Sequence, residues 1–294
     1  MRAGDVRFLR GSLEDAASLA RAFEGAACVI QLATGGGDTW EKVERSMVRG
    51  SVAAAEAALA AGARRFVYVS SIAALYTGAD AGAEIEDGLA TDPVPRARPL
   101  YSRGKIAAEA ELARLHRERG LPLVIARPGV VVGAGTPAQH SGYGLWARDN
   151  HCIGWGRGEN PLPLVWVEDV ADALARIARH PGPELDGRAL NLCTRVPLSA
   201  RQCVAEIARA SGRPIAFHPR GLALSQALEL GKWLVKKAGR RADVEFPSWR
   251  DLKARALVPP FTSRTAREVL GWKPLEEREA FLEAAIRAPA RPRR

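Results

Sequence analysis

Between Val6 and Leu192, short apolar runs alternate with amphipathic helical stretches, and this alternation constrains the fold more than any other feature of the 294 residues. Parallel strands need a crossover of a dozen or more residues, usually a helix, so such a chain is expected to be α/β, a doubly wound parallel sheet. Val6 to Arg10 reads as a short strand, and Glu14 to Phe23 as a helix with Ala16, Leu19, Ala20 and Phe23 on its apolar face. Cys28 to Ala33 is near-continuously apolar, as a strand buried on both faces should be. After Gly35, Gly36 and Gly37, read as a flexible turn, a long helix is expected from about Thr39 to Ala61. Phe66 to Val69 is the next strand and ends in Ser70 and Ser71; a loop rich in Gly, Asp and Pro then leads to a helix from about Pro99 to Arg119 and a strand from Leu121 to Ala126. Beyond Gly133, Tyr143, Trp146 and Trp155 lie among glycines in what reads as aromatic-rich loops of a smaller substrate lobe. The expected division is a core over 1–134 and a lobe over 135–294, with about 162–193 returning to the sheet through Leu164 to Val167, a helix Val170 to Arg179 and a strand Ala189 to Leu192. Ser199 to Ser211 reads as a further helix with Ser199 as its cap.

Composition narrows the function classes. The formal charge of +10 would suit nucleic acid, but arginine is spread along the chain and not gathered in one stripe, so no nucleic-acid partner is expected. Cys28, Cys152, Cys193 and Cys203 show no CxxC spacing, and the five histidines are dispersed, so neither a metal site nor a disulfide framework is indicated. The longest apolar candidate, Leu121 to Val132, is broken by Arg127 and falls short of the roughly 18 residues of a membrane span. With a charged start that does not resemble a signal peptide, a cytoplasmic location is expected. Ala223 to Arg241 reads as a basic amphipathic helix, for which a peripheral contact with anionic membrane competes with a packing role in the substrate lobe. A small-molecule substrate is the expected partner, and a homodimer is compatible with the chain.

The chemistry is carried by Tyr101-Ser102-Arg103-Gly104-Lys105, where a phenol and an ammonium at i and i+4 project from one helix face. A tyrosine with pKa about 10 is a poor acid or base at neutral pH, but a neighbouring cation stabilises its phenolate. The tuned hydroxyl can then exchange a proton with an alcohol or carbonyl while a nicotinamide exchanges the hydride. The pair opens a helix after a strand ending in Ser70 and Ser71, and strand C-termini are where such sheets place ligands.

With these residues in order, the chain resembles the extended short-chain dehydrogenase/reductases, the NAD-dependent epimerase/dehydratase family. Phe66 to Ser71 resembles the family's strand ending in the catalytic serine, Ser71 being the better match, and Tyr101 and Lys105 match its YxxxK. Arg127-Pro128-Gly129-Val130-Val131-Val132-Gly133 resembles its RPxxVYG stretch, Val167-Glu168-Asp169-Val170-Ala171 its VxDVA segment, and Leu270-Gly271-Trp272-Lys273-Pro274 its LGWxP signature. The resemblance implies a Rossmann-like core that binds NAD or NADP. It implies Tyr101 as acid/base, Lys105 as the residue that lowers the Tyr101 pKa and bonds the nicotinamide ribose, and Ser71 as the group polarising the reacting C–O bond. Gln31-Leu32-Ala33 resembles the family's HxA strand end, so Ala33 and Thr34 would border the cofactor, as would Ser12 with Leu13, while Pro128 and Val130 would line the nicotinamide side. The implied activity is that of an oxidoreductase or epimerase on a secondary alcohol or ketone, with a nucleotide-sugar epimerase or dehydratase reaction as its expected setting. Dihydroflavonol- or 3β-hydroxysteroid-type reductases are the nearest alternative, and a non-catalytic NmrA-like module is the rival from another class.

Three positions depart from the pattern. The family's glycine-rich first turn, GxxGxxG, has no counterpart, and the strand at Val6 corresponds to the family's third. Two strands are therefore expected to be missing, with Met1 internal to a longer protein and dinucleotide binding by these residues alone expected to be weak. Ser12 stands where an Asp is usual, and Met47 where many members place an Asn that relays protons.

Overall fold

The computed structural model describes residues 6–239 and 246–292. The chain forms two compact units that interleave along the sequence. The first takes the described residues up to Ala74, then Leu100–Ala126 and Leu174–Ala189; the second takes Leu75–Pro99, Arg127–Ala173 and the described residues from Leu190 on.

The first unit is built on strands β1 (Cys28–Gln31), β2 (Arg65–Val69) and β3 (Leu123–Pro128). They pair in parallel, Val29 opposite Phe66 and Tyr68 opposite Ile125, and the sheet runs β1-β2-β3-β8 with β8 at Ala189–Leu192. Their apolar runs are what a two-sided sheet demands, and Phe66, Val67, Val124 and Ala126 have no measurable exposure. Helix α1 (Ala16–Phe23) starts where the Asp15 carboxylate accepts the Ala17 and Ser18 amides, and its Leu19 enters a core with Val29, Ala54, Ala55, Phe66, Leu112 and Leu115.

The long helix expected from Thr39 is broken into α2 (Trp40–Val43), a π-helical stretch over Glu44–Arg49 and α3 (Gly50–Ala60), with the Thr39 hydroxyl accepting the Lys42 amide at its start. The turn before it is closely packed at two of its three glycines. A Cβ on Gly35 would lie 2.4 Å from Ser46, and one on Gly37 would lie 2.5 Å from the Lys42 Cβ, so these glycines are set by close packing. Helix α4 (Leu100–Arg119) follows the long loop as expected.

Val6 to Arg10, expected as a strand, is not one. Among the described residues it has no ladder partner, and Val6, Phe8 and Leu9 are 49%, 92% and 47% exposed. Alternating apolar residues supply a pattern, but a strand exists only where a neighbour takes up its backbone groups.

The second unit holds two small sheets. Strands β4 (Val130–Val132) and β7 (Leu164–Trp166) pair in parallel, so β7 joins β4 and not the large sheet to which it was expected to return. Pro128 offers no N–H, and a Cβ on Gly129 would lie 2.0 Å from the Pro163 carbonyl, so the ladder is interrupted there and restarts as a separate pair. The aromatic stretch expected as loops folds as a hairpin of β5 (Gly144–Ala147) and β6 (His151–Gly154), extended by β9 (Ala216–His218). Helix α5 (Val167–Arg179) begins three residues ahead of its expected start, and α6 (Ala200–Ser211) carries the full capping box of Ser199 and Gln202. Then come α7 (Leu222–Ala238) and α8 (Trp249–Arg255). On α7, Leu224, Leu228, Leu234 and Val235 are exposed; Arg240 and Arg241, included in the basic stretch expected from sequence, lie outside the described residues. No described helix is long and apolar enough to cross a membrane.

Candidate active site

Tyr101, Lys105 and Ser71 all belong to the first unit, and the fold brings them together. Tyr101 sits in the opening turn of α4, and Lys105 follows one turn on along the same stripe. Ser71 follows the end of β2; its backbone carbonyl accepts the Ala74 amide and its hydroxyl the Ala73 amide, which starts a short 3₁₀ turn over Ile72–Ala74. The Ser71 side chain acts on the Tyr101 phenol, favouring its ionised form. The neighbouring Ser70 is committed elsewhere, its Oγ donating to Glu109 Oε1 at 2.5 Å. Sequence alone left the two serines differing only in motif match, and their partners separate them.

The electrostatics are specific. Tyr101 is 45% exposed as a residue, yet crowding around its hydroxyl pushes its pKa up, and the Ser71 side chain pulls the other way. Lys105 is 2% exposed; burial pushes its pKa down to about 8, opposed by the negative charge of Glu109. Its ammonium donates to the Val69 carbonyl at 2.8 Å and lies 4.8 Å from the Tyr68 ring centroid and 5.9 Å from that of Tyr101. Lys105 was expected to lower the Tyr101 pKa. In this arrangement its charge is directed to the strand carbonyl and to Glu109, and Ser71 is the group that lowers it.

Sequence reasoning missed Glu109. It is 3% exposed and continues the Tyr101, Lys105 stripe at i+8, and that spacing was the available signal. Met47, at the position of the family's relay Asn, is 1% exposed and packs against Gly104; a buried thioether there has no proton to pass.

The expected cofactor residues divide between the units. Ser12 bonds inward, its amide donating to Ser18 Oγ at 3.1 Å and its own Oγ accepting the Glu14 amide at 3.2 Å, and Leu13 packs on Gly50. Ala33 and Thr34 are exposed just past β1, where the buried amide oxygen of Gln31 has no partner among the described residues. Pro128 ends β3 and Val130 lies in β4; both are in the second unit, and the Val130 side chain is part of that unit's core. A nicotinamide ribose fits the Tyr101 and Lys105 end, which offers a half-exposed tyrosine and an ammonium with donors to spare beyond the Val69 carbonyl. The pyrophosphate end does not fit in the same way among the described residues, since the Ser12 amide and hydroxyl are already taken by Ser18 and Glu14.

In the second unit the other family-like segments meet. The Trp272 indole donates to the Asp169 carbonyl at 2.9 Å, and the Asp169 carboxylate accepts the Leu275 amide at 2.9 Å. The same unit holds a cavity of about 620 Å³ bordered by Arg96, Trp155, Arg220, Lys232, Phe246 and Arg255.

Comparison with known proteins decides the family. The sequence profile of the NAD dependent epimerase/dehydratase family matches residues 1–193. The chain belongs to that family. It is 31% identical over 238 residues to a UDP-glucose 4-epimerase of Mycolicibacterium smegmatis, covering 77% of this chain and 63% of that protein. It is 23% identical over 288 residues to 3beta-hydroxysteroid-dehydrogenase/decarboxylase isoform 1 of Arabidopsis thaliana, covering 94% of this chain and 65% of that one. The chain thus spans less than two thirds of the length of both relatives. Among solved structures, the UDP-glucuronic acid 4-epimerase of Bacillus cereus in complex with UDP-glucuronic acid and NAD shares the fold at a TM-score of 0.67, with 13% identity over 92% of this chain and 77% of that one.

Proposed function

We propose that this family member acts as an NAD(P)-dependent epimerase or dehydratase on a nucleotide-sugar, with Tyr101 as acid/base. The observation that carries the reading is the Tyr101 side chain, nearly half exposed at the first turn of α4, with the Ser71 side chain acting on its phenol. A substrate C–O oxygen placed against it would receive a hydrogen bond from Ser71 and exchange its proton with Tyr101. Bound NAD or NADP supplies the hydride acceptor and donor. Lys105 holds its charge beneath the phenol, ready to bond a ribose hydroxyl, and Ala33 and Thr34 leave the end of β1 open.

The cavity of the second unit suits the rest of such a substrate. Its arginines and lysine complement phosphate charge, and Trp155 and Phe246 offer faces for a base. Four free thiols, three of them buried, fit a cytoplasmic location. The exposed apolar residues of α7, with Lys236 and Lys237 nearby, support a peripheral contact with anionic membrane. Co-sedimentation with anionic vesicles at low salt tests that contact, and an empty pellet rejects it.

The activity test is conversion of UDP-glucose in the presence of NAD, with UDP-galactose as product. Conversion that disappears in Tyr101→Phe supports the proposal, and conversion that survives it rejects the assignment. The hydroxysteroid reading, favoured by the plant relative's coverage of this chain, predicts NADH formation from a 3β-hydroxysteroid instead.

A further inference from the structure

Helix α4 presents Tyr101, Lys105 and Glu109 at i, i+4 and i+8, so a carboxylate continues the stripe below the phenol and the ammonium. Glu109 and Lys105 are 3% and 2% exposed. A buried lysine tends to give up its proton, and a buried carboxylate without partners is costly. Here each has the other, together with a neutral anchor on the sheet. Ser70 Oγ fixes Glu109 Oε1 at 2.5 Å, and the Val69 carbonyl fixes Lys105 Nζ at 2.8 Å. Both anchors come from the end of β2, so the helix stripe is pinned to the same strand that delivers Ser71.

We propose that Glu109 is a positioning residue, the counter-charge that holds the Lys105 ammonium against the end of β2 and so keeps a cation beneath Tyr101. The inference rests on the reading of Tyr101 and Lys105 as the working pair. Other groups facing Lys105 do not supply that charge: from β2 come the Tyr68 phenol and the Val69 carbonyl, and from α4 itself the Tyr101 phenol. Burial holds the Tyr68 phenol neutral, and Glu109 adds to that. Where α2 and the π-helical stretch approach α4, at Gly104, they present Val43 and Met47, neither of which titrates. Among the described residues Glu109 is the negative charge that acts on Lys105, and it works against the burial that draws the ammonium towards neutrality near pH 8.

The test reads Lys105 directly and needs no turnover. With ¹³C-labelled lysine the seven lysines give a tractable spectrum, and Lys105 is assigned by its loss in Lys105→Met. The wild-type Lys105 signal should titrate near pH 8. In Glu109→Gln, which keeps the acceptor for Ser70, the midpoint should fall by about one pH unit or more. In Ser70→Ala, which removes the anchor but keeps the charge, it should stay within about 0.3 unit. An unshifted midpoint in Glu109→Gln overturns the proposal, as does an equal shift in Ser70→Ala. If Glu109→Gln does not fold, Glu109→Asp withdraws the charge by one methylene: a smaller downward shift supports the proposal and none overturns it. In protein that turns over, the alkaline limb of kcat/KM should move down with the NMR midpoint, whereas a purely structural role would lower activity equally at all pH values. A shifted midpoint in protein that turns over no substrate would reject the proposed function alone, and an unshifted midpoint in active protein would reject the role of Glu109 alone.

Discussion

A Cβ on Gly104 would lie 2.6 Å from the Sδ of Met47 and 2.7 Å from a methyl of Val43. Gly104 is thus the point at which α4 meets the π-helical stretch and α2, one residue before Lys105. The seam is reinforced at Arg103, whose guanidinium carbon lies 3.7 Å from the centroid of the Trp40 ring. Helix propensity alone would favour alanine at position 104 by about 1 kcal/mol. The close approach opposes it and should win, because two buried side chains must move.

Gly104→Ala is therefore expected to lower stability by about 1–3 kcal/mol, measured by urea unfolding. Met47→Ala in the same chain opens the space and should recover part of the loss. A neutral or stabilising Gly104→Ala would show that the seam yields freely.

Tyr101→Phe should leave the unfolding midpoint within about 0.5 kcal/mol of wild type, since the residue is nearly half exposed and loses one hydroxyl. Turnover should fall by about 10²–10⁴-fold, the usual worth of a positioned proton donor, with cofactor affinity retained. Calorimetry with NAD alongside the rate measurement separates the two effects. Loss of binding together with loss of rate would mean that Tyr101 anchors the dinucleotide and is no acid/base.

Much of this was legible in the sequence because periodicity and local chemistry are written there. Cys28–Gln31, Arg65–Val69 and Ala189–Leu192 are strands because apolar runs of that length fit a sheet covered on both faces, and Ser199 with Gln202 announces a helix start. What escaped depends on partners distant in sequence. Val6 to Arg10 has a strand's pattern without a ladder, and β7 pairs with β4 because of a backbone break at Pro128 and Gly129 that no periodicity records. Tyr101, Lys105 and Ser71 were readable from spacing and strand ends. Glu109 was not singled out, because a glutamate in a helix rich in charge looks like any solvated one until Ser70 closes over it.

Trp272 separates a packing effect from a hydrogen-bond effect. Its ring is 1% exposed, and its indole N–H donates to the Asp169 carbonyl. Trp272→Phe keeps an aromatic ring and orphans one buried carbonyl, so about 1–3 kcal/mol should be lost. Trp272→Ala adds a cavity, with a loss of about 3–5 kcal/mol. Equal losses in the two variants, by urea unfolding, would show that the hydrogen bond and not the ring volume holds the segment.

Alkaline pH should unfold the second unit through its thiols. Burial pushes Cys152 and Cys203 up to about 12, and Cys193 is raised too. An acid whose pKa is higher folded than unfolded stabilises the fold fully below its unfolded value, near 8.5, and that contribution is lost as pH rises towards the folded value. Each thiol should therefore cost about 1.4 kcal/mol per pH unit above about pH 8.5. Lys105 has the opposite sign, because its folded pKa of about 8 lies below the unfolded value near 10.4, so stability rises with pH between the two. With Cys28 of the first unit, whose thiol burial also raises, four thiols stand against one amine and leave a net decline above about pH 8.5. Urea unfolding at pH 8 and pH 10 under reducing conditions measures it, and Cys152→Ala with Cys203→Ala should flatten the decline by about two protons' worth of slope. A pH dependence untouched by that pair would mean the thiols already ionise in the folded protein.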